Sequence, residues 1–232
     1  MVMDIFERSQ AARTSILNKL KQQVEGADYS KLPAEKGFCY PQLPVADMLE
    51  NFVEHLQANH AQVISVSAEN VYQVAINQLR ERGIEKLLCG KGSVLAEPLQ
   101  ATLDSAPEQT LKLSIYDSHL ADCKQEMFYD MPASISSSRW LIAETGTLVL
   151  WPSASEPRTL SLIPPVHIVV AYASTLHANF ATLIHNNQWQ AQMPTNVLLI
   201  SGPSKTADIQ QTLAFGAHGP KELIVLLVND LI

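Results

Sequence analysis

The feature that most constrains the fold is a series of short, nearly unbroken apolar runs at residues 63–66, 86–89, 111–116, 166–172, 196–200 and 222–228. A strand with one wet face alternates apolar and polar residues, whereas a strand apolar at consecutive positions needs cover on both faces. Helical patterns lie between the first three runs, at 69–82, ended by Gly83, and around 94–103. Strand, helix, strand in this rhythm predicts parallel strands joined by crossovers, a Rossmann-like open sheet. Downstream, runs at 146–151 and 166–172 are separated by a Pro- and Ser-rich stretch with no helical pattern, so antiparallel or irregular pairing is expected there. A helix is expected over 175–185, then the strand at 196–200. The loop 201–204 is expected to open a last helix ending near Phe215, and the run at 222–228 closes the sheet.

Upstream of the sheet, Ala12, Ile16, Leu20 and Val24 draw one apolar stripe along a helix that Gly26 can end. The stretch 27–44, with Pro33, Pro41 and Pro44, reads as a linker or wrapping arm. Met48, Leu49, Phe52, Val53 and Leu56 then repeat core-facing helical spacing. The expected organisation is an N-terminal pair of helices with a Pro-rich linker over 1–60, followed by an α/β domain over 61–232.

Charge and cysteine content remove several functions. A formal net charge of −7 and a pI near 5.5, without a Lys/Arg run, give no field for a nucleic-acid backbone. Asp4, Glu7, Arg8 and Arg13 interrupt the N-terminus, and no segment reaches spanning length, so neither a signal peptide nor membrane insertion is expected and the cytoplasm is the expected compartment. Cys39, Cys89 and Cys123 are far apart and form no Cys-x-x-Cys, which leaves an iron–sulfur cluster or structural zinc without its usual ligands. No metal and no cofactor are expected.

Chemistry concentrates in three turns of the C-terminal half. In ISGPSKTADIQQTLAF a strand is expected to end in a polar turn and a helix to start at once, the position where open α/β sheets bind ligands. Ser201, Gly202, Ser204, Lys205 and Thr206 would gather an anion at that helix start, with Asp208 as an alternative negative partner. Gly202 lacks the companion glycine before Lys205 that a Walker loop requires, and Gly90-Lys91-Gly92 lacks the third glycine of a dinucleotide fingerprint, so that segment reads as a turn. Glu144-Thr145-Gly146-Thr147 forms a second polar turn, with Glu144 a candidate general base or nucleophile. Arg158 could clamp a carboxylate or phosphate. His167 opens a strand, and His218 with Gly219 sits in a tight turn, so both histidines are candidate acid–base groups. For each of these residues, capping, turn formation or a surface ion pair is the competing explanation.

The segments AETGTLVL, Arg158, PPVHIVV and ISGPSKTADIQQTLAFGAHGPKELIVLLV, in this order and spacing, resemble the LutC/YkgG family, the LUD domain. AARTSIL at residues 11–17 agrees loosely with that family's opening, and 27–131 agrees only in its rhythm of strands and helices. The resemblance implies an open mixed sheet of the NagB/RpiA/CoA-transferase-like type, the architecture shared by formyltetrahydrofolate cyclo-ligase. It implies a non-redox part in oxidising L-lactate to pyruvate, alongside partners that include an iron–sulfur protein carrying its own LUD domain. The family commonly places arginine where this chain has Lys205. Three functions follow as expectations: a subunit that binds a small anionic ligand or a partner, a free-standing CoA-transferase-like or cyclo-ligase-like enzyme using Glu144, and a scaffold.

Overall fold

The computed structural model describes residues 5–28, 44–105, 110–117, 120–191, 193–207, 213–215 and 218–231. The chain forms two compact units, Met1–Tyr40 and Pro41–Ile232. The first contains helix α1 (Ile5–Val24), closed by Gly26 at φ +76°, where only glycine turns without strain. Its Phe6, Ile16, Leu17, Leu20 and Val24 are exposed. Most of the Pro-rich arm, with Cys39, lies outside the described residues.

The second unit is built on a six-stranded sheet in the order β1 (Gln62–Val66), β12 (Glu222–Val228), β7 (Val166–Tyr172), β4 (Ala133–Ser137), β2 (Lys86–Gly90) and β3 (Lys112–Tyr116). Every neighbouring pair is parallel. The central strands β7 and β12 are the most continuously apolar, and all but their end residues are buried, as cover on both faces demands. One face carries α3 (Val71–Glu81) and α4 (Ala96–Asp104), whose Ala75, Ile76, Leu79, Leu99 and Leu103 pack on Leu87, Cys89, Ile135, Ile168 and Ile224. The other face is covered by α2 (Val45–Ala58) and a second sheet, with Phe52 and Leu56 against Leu141, Leu148, Val169 and Val225. Phe52 and Leu56 of α2 are fully buried in this core. On the same side, Met127 of α5 (Leu120–Tyr129) meets Leu88 and Leu160.

The second sheet has four strands, in the order β8 (Leu176–His177), β5 (Trp140–Ile142), β6 (Thr147–Leu150) and β9 (Leu198–Ile200). It corrects the expected pairing of 146–151 with 166–172. β6 pairs antiparallel with β5 and β9, while β7 stays in the parallel sheet and the short α6 (Thr159–Leu162) lies between them in sequence. Two helix expectations also change. The helix expected from 175 begins only at α7 (Phe180–Asn186), because Leu176 and His177 pair with Leu141 and Ile142 and the Asn179 side chain then caps the helix by accepting from Thr182 N at 2.8 Å. The helix expected after Ser204 is instead an antiparallel strand pair, β10 (Lys205–Ala207) with β11 (Leu213–Phe215). Among the described residues, no helix is long and apolar enough to cross a membrane.

Candidate functional site

The sequence candidates separate into three places. Most gather where the second sheet meets the C-terminal end of α2. Thr145 Oγ1, Thr147 Oγ1 and Ser201 Oγ form a hydroxyl chain with both links at 2.7 Å. Gly146, at φ +57°, lies so close to α2 that a Cβ there would sit 2.5 Å from His55 Cβ, and a Cβ on Gly202 would sit 2.6 Å from Asn59 O. Lys205 Nζ donates to Asn59 Oδ1 at 3.0 Å. Ser204 N–H donates to Pro220 O at 2.9 Å, and Ser204 Cβ abuts Gly219, next to the exposed His218. Glu144 is exposed, and its N–H donates to Ala178 O.

With a strand pair after Ser204, no new helix among the described residues of this segment offers free N–H groups to an anion. The helix end present belongs to α2, and a helix C-terminus carries negative partial charge, which favours the Lys205 ammonium and disfavours an anion. These turns tie α2 to the second sheet. Thr206 contributes backbone to β10, and Asp208 lies outside the described residues.

His167 is elsewhere, fully buried in β7 on the face that α2 covers. Its Nε2 is 2.8 Å from Ser136 Oγ of β4, and its Nδ1 has no partner in the structure. A serine beside a histidine is the geometry of an activated nucleophile, but both residues are sealed in the core, where no substrate reaches them. Burial alone lowers the imidazole pKa to about 3, so His167 is neutral. Arg158, exposed at the start of α6, is the third place.

The topology marks a different position. β2 leads to α4 on one face of the parallel sheet, while β4 leads to β5 and β6 on the other, although β2 and β4 are neighbours. Adjacent strands whose connections leave to opposite faces open a crevice at their carboxyl ends, the usual ligand position in open α/β sheets. Here the opening is visible in the register. β2 pairs with β4 only at Leu87–Ala133 and Leu88–Ser134, although β2 continues along β3 to Gly90 and β4 along β7 to Ser137.

The loop after β6 enters this gap. Glu156 Oε1 accepts from Ser93 Oγ at 2.6 Å, and Oε2 accepts from Ser137 N at 2.9 Å and Ser137 Oγ at 2.8 Å. The carboxylate thus joins the ends of the two splayed strands and takes the N–H of Ser137. Ser155 O passes so close to Gly90 that a Cβ would lie 1.8 Å away, which explains the first glycine of Gly90-Lys91-Gly92. Beside the loop is a cavity of about 290 Å³ lined by Val94, Ser137, Arg139, Trp151, Ser153, Ser155 and Glu156. The Arg139 guanidinium carbon lies 4.5 Å from the ring centroid of Trp140 and 4.7 Å from that of Trp151. Trp189 stacks on Trp140 and meets Trp151 edge-on, which fixes that platform. Cys89, the penultimate residue of β2, is no nucleophile at neutral pH, since burial, opposed by the Ser93 hydrogen bond, pushes its thiol up to about 11.

Sequence reading passed over Ser93, Ser137, Arg139, Trp151, Ser153, Ser155 and Glu156. The available signal was Gly90-Lys91-Gly92 directly after a buried strand. What hid the site was β4, ASISS, which has no apolar run to announce a central strand.

Known proteins place the chain. A 20% identical DUF162 family protein from Deinococcus radiodurans superposes with a TM-score of 0.57, covering 80% of this chain and 99% of that one, a likeness of fold. A Neisseria meningitidis protein, NMB1437, is 34% identical over 94% of each chain. Lactate utilization protein C of Macrococcus caseolyticus is 25% identical over 93% of this chain and 92% of its own. Residues 49–228 match the model of the LUD domain, and the chain belongs to that family.

Proposed function

We propose that this protein is a non-redox component of an L-lactate utilisation system and that it holds a small anionic ligand in the crevice between β2 and β4. The observation that carries the first part is the similarity to Lactate utilization protein C over more than nine-tenths of both chains. Arg139 supports the second part. Its guanidinium lies over two indole rings, it has no carboxylate partner among the described residues, and it lines a cavity at the edge where such sheets bind ligands. In this reading the partners of the same system include an iron–sulfur protein that carries its own LUD domain, and they supply the electron transfer. The carboxylate mechanism of a free-standing enzyme gains less support, because Glu144 is exposed and, among the described residues, its hydrogen bond is from its backbone N–H to Ala178 O.

The test is deletion of the gene in its host, with growth measured on L-lactate and on a sugar. Loss of growth on lactate alone, restored by the wild-type gene, is expected. Affinity capture of the tagged chain should also recover an iron–sulfur protein. Undiminished growth on lactate together with no such recovery contradicts the assignment.

A further inference from the structure

We propose that Ser93 and Ser137, at the split ends of β2 and β4, form an oxyanion subsite of the crevice, and that the Glu156 carboxylate is its resident occupant, displaced when a ligand's carboxylate or phosphate binds. This rests on the small-anion reading above and names the subsite and what governs access to it. The split itself creates the subsite. Ser138 N–H donates to Val170 O on the β7 side. Successive residues of a strand turn their N–H groups to opposite neighbours, so Ser137 N–H faces β2. The ladder to β2 has by then stopped, at Leu88–Ser134. Ser137 N–H therefore needs an acceptor from outside the sheet, and Ser137 Oγ and Ser93 Oγ donate beside it to the same carboxylate, at 2.9, 2.8 and 2.6 Å. Ser93 Oγ also accepts from Leu95 N at 3.2 Å where α4 begins, which places the carboxylate at the positive end of that helix.

Three donors converging on one point suit an oxyanion, and Glu156 supplies one from within the chain. Among the described residues no cation pairs with this carboxylate, although it shares the wall of the cavity of about 290 Å³ with Arg139. A carboxylate in that place opposes an anionic ligand twice, by its charge and by holding the donors. A tethered group competes at high effective concentration, so the crevice fills only at the expense of the Glu156 contacts. The turn that carries Glu156 holds itself together. Ser153 N–H donates to Glu156 O at 3.1 Å, Glu156 N–H donates to Ser153 Oγ at 3.1 Å, and Ser155 O is seated against Gly90. Displacement is thus a rotation of the Glu156 side chain, with the 153–156 turn left in place as a wall of the cavity.

The test is calorimetry on the full chain with acetate, L-lactate and inorganic phosphate as separate probes, for the wild type, Glu156→Asp and Glu156→Ala. Aspartate keeps the charge but is one methylene shorter, which draws the carboxylate away from the serines. Both variants should bind at least one probe about tenfold or more tighter than the wild type, the range expected for one hydrogen bond to a charged group. A gain for acetate and L-lactate marks a carboxylate subsite, and a gain for phosphate a phosphate subsite. Adding Ser93→Ala to Glu156→Ala should remove most of the gain, because the ligand then lacks a donor. If circular dichroism shows that Glu156→Ala is misfolded, Glu156→Gln serves instead, with a smaller gain in the same direction. In the wild type, the side-chain carboxyl carbon signal of Glu156 should move as the probe saturates. A folded Glu156→Asp that binds no tighter than the wild type, or a Glu156 signal that stays in place at saturation, overturns the inference and leaves the small-anion reading standing. Absence of binding of every probe by the wild type and all variants overturns both.

Discussion

Exchanging His167 for glutamine should remove a large part of the chain's sensitivity to mild acid. The imidazole is fully buried, and burial alone holds its pKa at about 3, against an ordinary 6.5. A histidine with a lowered folded pKa gives stability that is present above 6.5 and is lost as pH falls, because only the unfolded chain takes up the proton. The loss accumulates at about 1.4 kcal/mol per pH unit below 6.5, which comes to roughly 2 kcal/mol between pH 7 and pH 5. In a chain of this size that corresponds to a fall of about 4–8 °C in Tm. The amide of the His167→Gln variant can still hydrogen-bond to Ser136 Oγ but does not titrate. Urea unfolding followed by tryptophan fluorescence, for both chains at pH 7 and pH 5, isolates the effect as a double difference. The wild type should lose about 2 kcal/mol more than His167→Gln. Parallel losses would refute the reasoning, since they would mean that the folded chain protonates His167 as readily as the unfolded one.

Two further substitutions probe the architecture. Gly90→Ala places a methyl 1.8 Å from Ser155 O, so the 153–156 loop must shift; a loss of about 1–3 kcal/mol is expected in denaturant titration, together with loss of ligand binding. Phe52→Ala empties a fully buried site between α2 and the sheets, and should cost about 3–5 kcal/mol in the same assay.

The parallel sheet was legible because β2, β7 and β12 are buried on both faces and carry near-continuous apolar residues. β4 was not, for a physical reason. Its Ser134 and Ser136 are buried by hydrogen bonds to Leu160 O and His167 Nε2, and those partners are distant in sequence. Without β4 the neighbour of β2 is unknown, and so is the switch in connection that marks the crevice. The C-terminal turns read as an anion site because a helix is expected to start after Ser204. Its N–H is instead bonded to Pro220 O, and the following residues pair as a strand with 213–215. The polar residues there do converge, around Asn59 at the end of α2, but among the described residues no helix start gathers them. Arg139 and Glu156 came together only through strands and loops that no local pattern connects.

The most direct test of the central claim is to map L-lactate onto the chain by amide chemical shifts in a titration of labelled protein. The account predicts saturable shifts at Ser93, Ser137, Arg139, Ser155 and Glu156, on both sides of the split between β2 and β4. Shifts confined to Thr145, Ser201, Lys205 and His218 would contradict it and return the site to the end of α2.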